Sequence, residues 1–124
     1  MSLVYYCETC NRRDFVAKAL NIFKEQLEKA KRIFVKPNIV SSEPYPTTTH
    51  PEVLDALLSW LSSREVIVGD GPAVDAGRSD KVLRNTPLRE ICENHNASLV
   101  NLYLEPMKRM KSKRDYRTLL FEPP

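Results

Sequence analysis

The sequence predicts an α/β domain: a three-layer, Rossmann-like sandwich around a mostly parallel sheet of about four to five strands. Short apolar runs at Ile33–Val35 and Val66–Val68 lack in–out alternation, as strands covered on both faces do. Segments with apolar residues at helical spacing fill the gaps between the runs. One helix in each gap is the pattern of parallel strands wound by right-handed crossovers.

The bulk numbers fit one soluble domain. The chain has 124 residues, 42% hydrophobic and 28% charged, enough to bury a core. Its net charge of +3 does not demand a nucleic-acid partner. No apolar stretch is long enough to cross a membrane and no signal-peptide pattern is present, so a cytoplasmic protein is expected. Three cysteines, an odd number, argue against a secreted disulfide scaffold. Residues 1–106 read as the α/β domain and 107–124 as a basic carboxyl segment.

Leu3–Tyr6 is apolar and aromatic and predicts a first strand. Asn11 and Asp14 mark a helix start, and Phe15, Val16, Ala19, Leu20, Phe23, Leu27 and Ala30 continue one apolar face. After Ile33–Val35, Pro37 ends the strand and keeps Lys36 extended. His50-Pro51 opens the next helix, with proline in the first turn where its missing N–H costs nothing. Thr49 and Glu52 fit a capping box one residue earlier. Val53, Leu54, Leu57, Leu58 and Leu61 form its apolar stripe. Val66–Val68 is the next strand, and all three glycines of the chain follow within residues 69–77. Ser79 opens a short turn through Leu83. Leu88–His95 is a helix and Leu99–Leu102 a strand. Past Pro106 the pattern dissolves into bases, with Leu119–Phe121 starting another strand.

The densest polar chemistry lies at strand ends, where open α/β sheets hold ligands. If the strand order is 2-1-3-4, the Cys7–Cys10 and Gly69–Gly77 loops flank one crevice with the Lys36–His50 loop nearby. This needs the strands at Ile33 and Val66 to run in one direction and release their polar tails onto one rim. Lys36 and Asn38, with the hydroxyls of Thr47, Thr48 and Thr49 just ahead of a helix amino end, make a candidate anion site. The competing reading is that the threonines only cap a helix. Gly69 and Gly71 are a fragment of the dinucleotide fingerprint, with Val74 where the third glycine belongs, so a nicotinamide site is not expected. Asp70 and Asp75 are candidate metal ligands or acid–base groups, the competing reading being a tight turn with solvated acids, and His50 is a further catalytic candidate. Cys7-x-x-Cys10 invites a redox reading, and with Cys92-x-x-His95 it supplies the donors of a Cys₃His zinc site. A buried structural thiol is the alternative for Cys92. The basic segment contains Tyr116 but no run of stacking aromatics, so it reads as a solvated tail or a partner-binding arm.

Three segments together, VKPNIV at 35–40, TTHPEVLDALLSWL at 48–61 and VIVGDGP at 66–72, resemble the domain of unknown function 362 family. The later NTPLREICENH resembles that family's next helix. The resemblance implies an α/β domain, neighbouring ferredoxin-type iron–sulfur modules, and a distant similarity to the amino-terminal part of nickel-dependent lactate racemases. It carries over no general activity and no cofactor. By matched position it points to Lys36, Asn38, Thr48, Thr49, His50, Gly69 and Asp70. Family members run longer, so residues 107–124 read as the start of a missing second half. The expected function is binding of an anionic small molecule or metal at the strand carboxyl ends, in an enzyme or iron–sulfur-linked redox protein. The alternative is a scaffold that docks an iron–sulfur subunit or a second copy of itself.

Overall fold

The computed structural model describes residues 4–76, 80–111 and 117–121. Gly77, Ser79 and Tyr116 lie outside them. Helices α1 (Arg12–Ile22) and α2 (Lys24–Lys29) lead into strand β1 (Arg32–Val35). Helix α3 (Pro51–Trp60) connects β1 to β2 (Glu65–Asp70). Helices α4 (Lys81–Asn85) and α5 (Arg89–Asn94) connect β2 to β3 (Ser98–Asn101). Strands β4 (Met107–Lys111) and β5 (Arg117–Phe121) form a separate antiparallel pair.

The main sheet has three strands in the order β1-β2-β3, and both pairings are parallel. It is an α/β fold with a smaller sheet than expected. Of the strand expected at Leu3–Tyr6, Leu3 lies outside the described residues and Val4–Tyr6 is irregular and exposed, with Tyr5 instead meeting the Phe23 ring edge-on at 6.5 Å. Strand order follows chain order, so the described sheet has no reversal and no switch point. The expected single helix from Asn11 to Ala30 is broken at Phe23, which is non-helical and ends α1.

Val35, Val66, Val68 and Leu99 alternate onto one face of the sheet and pack against the apolar stripes of the helices. Leu54 and Leu58 of α3, Val82 and Leu83 of α4, Leu88 and Cys92 complete the core. The other face carries Phe34, Ile67, Gly69 and Val100, and Phe34 remains 43% exposed. Helix α1 does not cover that face. It rests on α3 and buries no residue fully, so its apolar side is only half-covered. No helix among the described residues is long and apolar enough to cross a membrane.

Two local signals behave as chemistry requires. Pro51 occupies the first turn of α3, and the N-cap is His50, whose Nδ1 accepts from the Glu52 N–H at 3.2 Å. Thr49 is not the cap, because its hydroxyl is used elsewhere. Helix α5 closes on Asn96, which sits at φ 53°, a left-handed conformation asparagine tolerates. The Ala97 N–H then reaches the Cys92 carbonyl at 2.9 Å and the Asn96 N–H the Glu93 carbonyl at 3.1 Å, a Schellman closure.

Candidate functional site

Because β1 and β2 are parallel, Lys36 and Asp70 leave the sheet at the same edge. They meet there: Lys36 Nζ lies 2.7 Å from Asp70 Oδ1. Asp70 is 4% exposed and also accepts from the Gly71 N–H at 2.8 Å and, through Oδ2, from the Ile39 N–H at 2.6 Å. A buried carboxylate held by one cation and two backbone donors is fully satisfied. Beside it, the Asn38 N–H donates to Thr49 Oγ1 at 2.7 Å and the Thr49 N–H to the Asn38 carbonyl at 2.8 Å. Asn38 Nδ2 donates to the Thr47 carbonyl at 3.0 Å, and the buried Thr48 hydroxyl to the Ser41 carbonyl at 3.4 Å. The Ala73 N–H donates to the Val40 carbonyl at 2.9 Å and joins this loop to the one after β2.

The expected site residues therefore come together, as a latch between two strand-to-helix loops. Lys36, Asn38, Thr48, Thr49 and Asp70 bond to one another or to loop backbone, and His50 caps α3. The glycines serve packing. A Cβ on Gly69 would lie 2.7 Å from Val100 Cγ2 and 3.0 Å from Phe34 Cε2. A Cβ on Gly71 would lie 3.2 Å from the Tyr103 ring.

Next to the latch is a crevice of about 490 Å³. Ser41, Ser42, Glu43 and Thr47 line it from the loop after β1; Asp75, Lys81 and Asn85 face them from the segment after β2. These two loops are the pair expected to share a rim. Cys7 and Cys10 are not among the lining residues. Of the lining residues, Thr47 and Asp75 are candidates from the sequence, whereas Ser41, Ser42, Glu43, Lys81 and Asn85 are not singled out by it. The available signal was the Ser-Ser-Glu run in a proline-rich loop and a lysine opening a helix just past the glycines. Ser41 Oγ and Glu43 Oε2 are 3.3 Å apart, which steadies one wall. The crevice thus offers hydroxyls, one amide, one ammonium and two carboxylates. A smaller hollow of about 280 Å³ lies beside Ala97 and Leu99, near the start of β3; its arginines are committed to Arg84–Asp80 and Arg89–Glu93 ion pairs.

The proposed zinc donors are not gathered. No group of three or more His, Cys, Asp or Glu side chains placed to hold a metal ion occurs among the described residues. Cys7 and Cys10 are exposed, whereas Cys92 is a core residue, 1% exposed. Burial, aided by the neighbouring Glu93 charge, pushes the Cys92 thiol up to about 11. His95 is turned to Asp55, with Nε2 2.8 Å from Oδ1. Arg13 pairs with the other oxygen of Asp55, so one carboxylate ties α1, α3 and the end of α5 together. The hydrogen bond to His95, then that to Arg13, holds the Asp55 carboxyl below its usual range.

No curated protein and no solved structure matches the chain, so the distant likeness to lactate racemases is not shown. A sequence model described as "Domain of unknown function (DUF362)" matches residues 33–121, from β1 through the β4–β5 pair. The latch, the crevice and all of the three-stranded sheet but Arg32 lie within that span, and the chain belongs to the DUF362 family.

Proposed function

We propose that the protein is a ligand-binding α/β domain whose site is the crevice between the two strand-to-helix loops. It takes a small anionic, hydroxyl-bearing molecule. Lys81 pairs with the anionic group, Ser41, Ser42, Thr47 and Asn85 supply hydrogen bonds, and Glu43 and Asp75 accept from ligand hydroxyls or hold a metal ion that accompanies it. Asp70 and His50 keep the two loops in place rather than touching the ligand. The supporting observation is the crevice itself: it sits at the carboxyl edge of two parallel strands, where such sheets bind ligands.

Thermal unfolding tests this, in the presence of phosphate, small hydroxycarboxylates or divalent cations. A ligand at a hundredfold excess over its Kd stabilises by about 2.7 kcal/mol. Lys81→Ala abolishes the stabilisation by the anion, and His50→Ala keeps it. An anion-induced shift that survives Lys81→Ala refutes the site, as does the absence of a shift with every ligand.

A second reading draws on the exposed aromatics. Tyr5, Phe23 and Phe34 are each more than two-fifths exposed, as residues at a docking surface are. In this reading the domain is a scaffold for an iron–sulfur subunit or for a second copy of itself. A native mass that stays monomeric, with no complex formed with a ferredoxin-type protein, removes it.

A further inference from the structure

Cys7 and Cys10 belong neither to the crevice nor to the core. Both are exposed, and the segment that carries them leads directly into α1. The bend between them and the helix rests on few contacts. The Asn11 N–H donates to Thr9 Oγ1 at 2.9 Å, and Asn11 Oδ1 accepts from the Asp14 N–H at 3.1 Å to cap α1. Among the described residues the Cys7 thiol reaches the adjacent Glu8 carbonyl, at 3.7 Å.

Directly after this bend the chain enters the anchored turn of α1. Arg13 pairs with Asp55 of α3, and Arg12 lies 3.8 Å from Glu52 of α3. The Arg12 guanidinium also sits 5.8 Å from the centre of the Tyr45 ring, and Tyr45 meets the His50 ring edge-on at 5.1 Å. Tyr45 is in the loop that borders the crevice. Phe15, Val16, Ala19 and Leu20 are half-buried along α1, and these polar contacts add a hold on α3 at its first turn. A change in chain shape at residues 7–10 acts within one helical turn of them.

We propose that Cys7 and Cys10 form a redox-active pair, oxidised to a disulfide by exchange with a small-molecule disulfide such as oxidised glutathione, and that closing this ring loosens the first turn of α1 from α3. One cysteine thiolate attacks the small disulfide and displaces one small thiol. The other cysteine thiolate attacks the mixed disulfide and displaces the second. The two cysteines lose two protons and two electrons, and the oxidant leaves as two thiols. Ring closure fixes the Cα atoms about 4.4–6.8 Å apart. That restraint falls on the Thr9–Asn11 turn, which supports the helix cap. Cys92, sealed in the core, takes no part.

The full chain is equilibrated in glutathione buffers of graded redox ratio, quenched by alkylation and mapped by mass spectrometry. Hydrogen–deuterium exchange is then measured on the reduced and oxidised forms. The expected product is a Cys7–Cys10 disulfide with Cys92 still a thiol. Amides of α1 exchange several-fold faster after oxidation, while those of α5 do not change. The Cys7→Ser, Cys10→Ser double variant exchanges like the reduced protein at every ratio. The proposal is overturned if the pair stays reduced throughout, if glutathione adducts form without ring closure, or if the ring forms and α1 exchange is unaltered.

Discussion

Replacing Asp70 by alanine removes one acceptor from three donors, and the three losses are unequal. Ile39 is 0% exposed, so its N–H has no route to water once the carboxylate is gone. An orphaned buried donor costs about 1–3 kcal/mol. The Lys36 side chain is 57% exposed and moves into solvent, and the half-buried Gly71 N–H has partial access to water; each adds about 0–1 kcal/mol. Asp70→Ala should therefore destabilise by about 1–5 kcal/mol, a large share of the roughly 5–15 kcal/mol typical of a domain. Lys36→Ala leaves both backbone donors on the carboxylate and should cost only about 1 kcal/mol. Urea unfolding monitored by far-UV circular dichroism and by the fluorescence of Trp60 gives both values, provided the slopes agree between variants. A Lys36→Ala penalty equal to that of Asp70→Ala would show the ion pair, not the backbone latch, to be the dominant contact.

Gly69→Ala forces Val100 or Phe34 to shift away from a 2.7–3.0 Å contact and should cost about 1–3 kcal/mol by urea titration; a stabilised variant contradicts that packing. Because folding lowers the Asp55 pKa, its contribution is complete above the unfolded value of about 3.9 and disappears as pH falls through the lowered folded value. Asp55→Asn should flatten the acid limb of the stability–pH curve, and an unchanged limb rules out this linkage. His50→Ala removes the cap of α3 and should lower stability by about 1 kcal/mol, read as a reduced urea midpoint.

Along the chain, the legible features were those that adjacent residues decide. The stripe from Val53 to Leu61 fixed α3, and Pro51 fixed its start. Uninterrupted apolar triplets marked two strands, but only β2 is buried; β1 is half-buried on one face and exposed at Phe34 on the other, and the parallel direction came from helices in the gaps. The failures came where distant partners decide. Val4–Tyr6 has strand-like composition, but the described sheet lends it no pairing partner. Met107–Lys111 is rich in bases and pairs because β5 lies opposite. Asp55 and His95 are 40 residues apart, and only the packing of α3 on α5 joins them. Around the site, strand ends pointed to the edge of the sheet where the two loops meet and the crevice opens. They did not reveal that the most conspicuous polar residues would be consumed in joining the two loops, which left plainer neighbours to line the opening. Asn96 carried a legible sign, since asparagine just past a helix invites a left-handed closure.

Among the described residues, the arrangement β1-β2-β3 leaves β1 on a margin of the sheet, where an outer row of amide groups is a template for recruiting foreign strands. This margin is only four residues long, carries the charged Arg32 and is halted two residues later by Pro37, which has no amide hydrogen to offer. Brevity, charge and proline thus protect the domain from runaway self-assembly at a border that no barrel closes. Substitutions that lengthen β1 or neutralise Arg32 would erode solubility before they touched the fold.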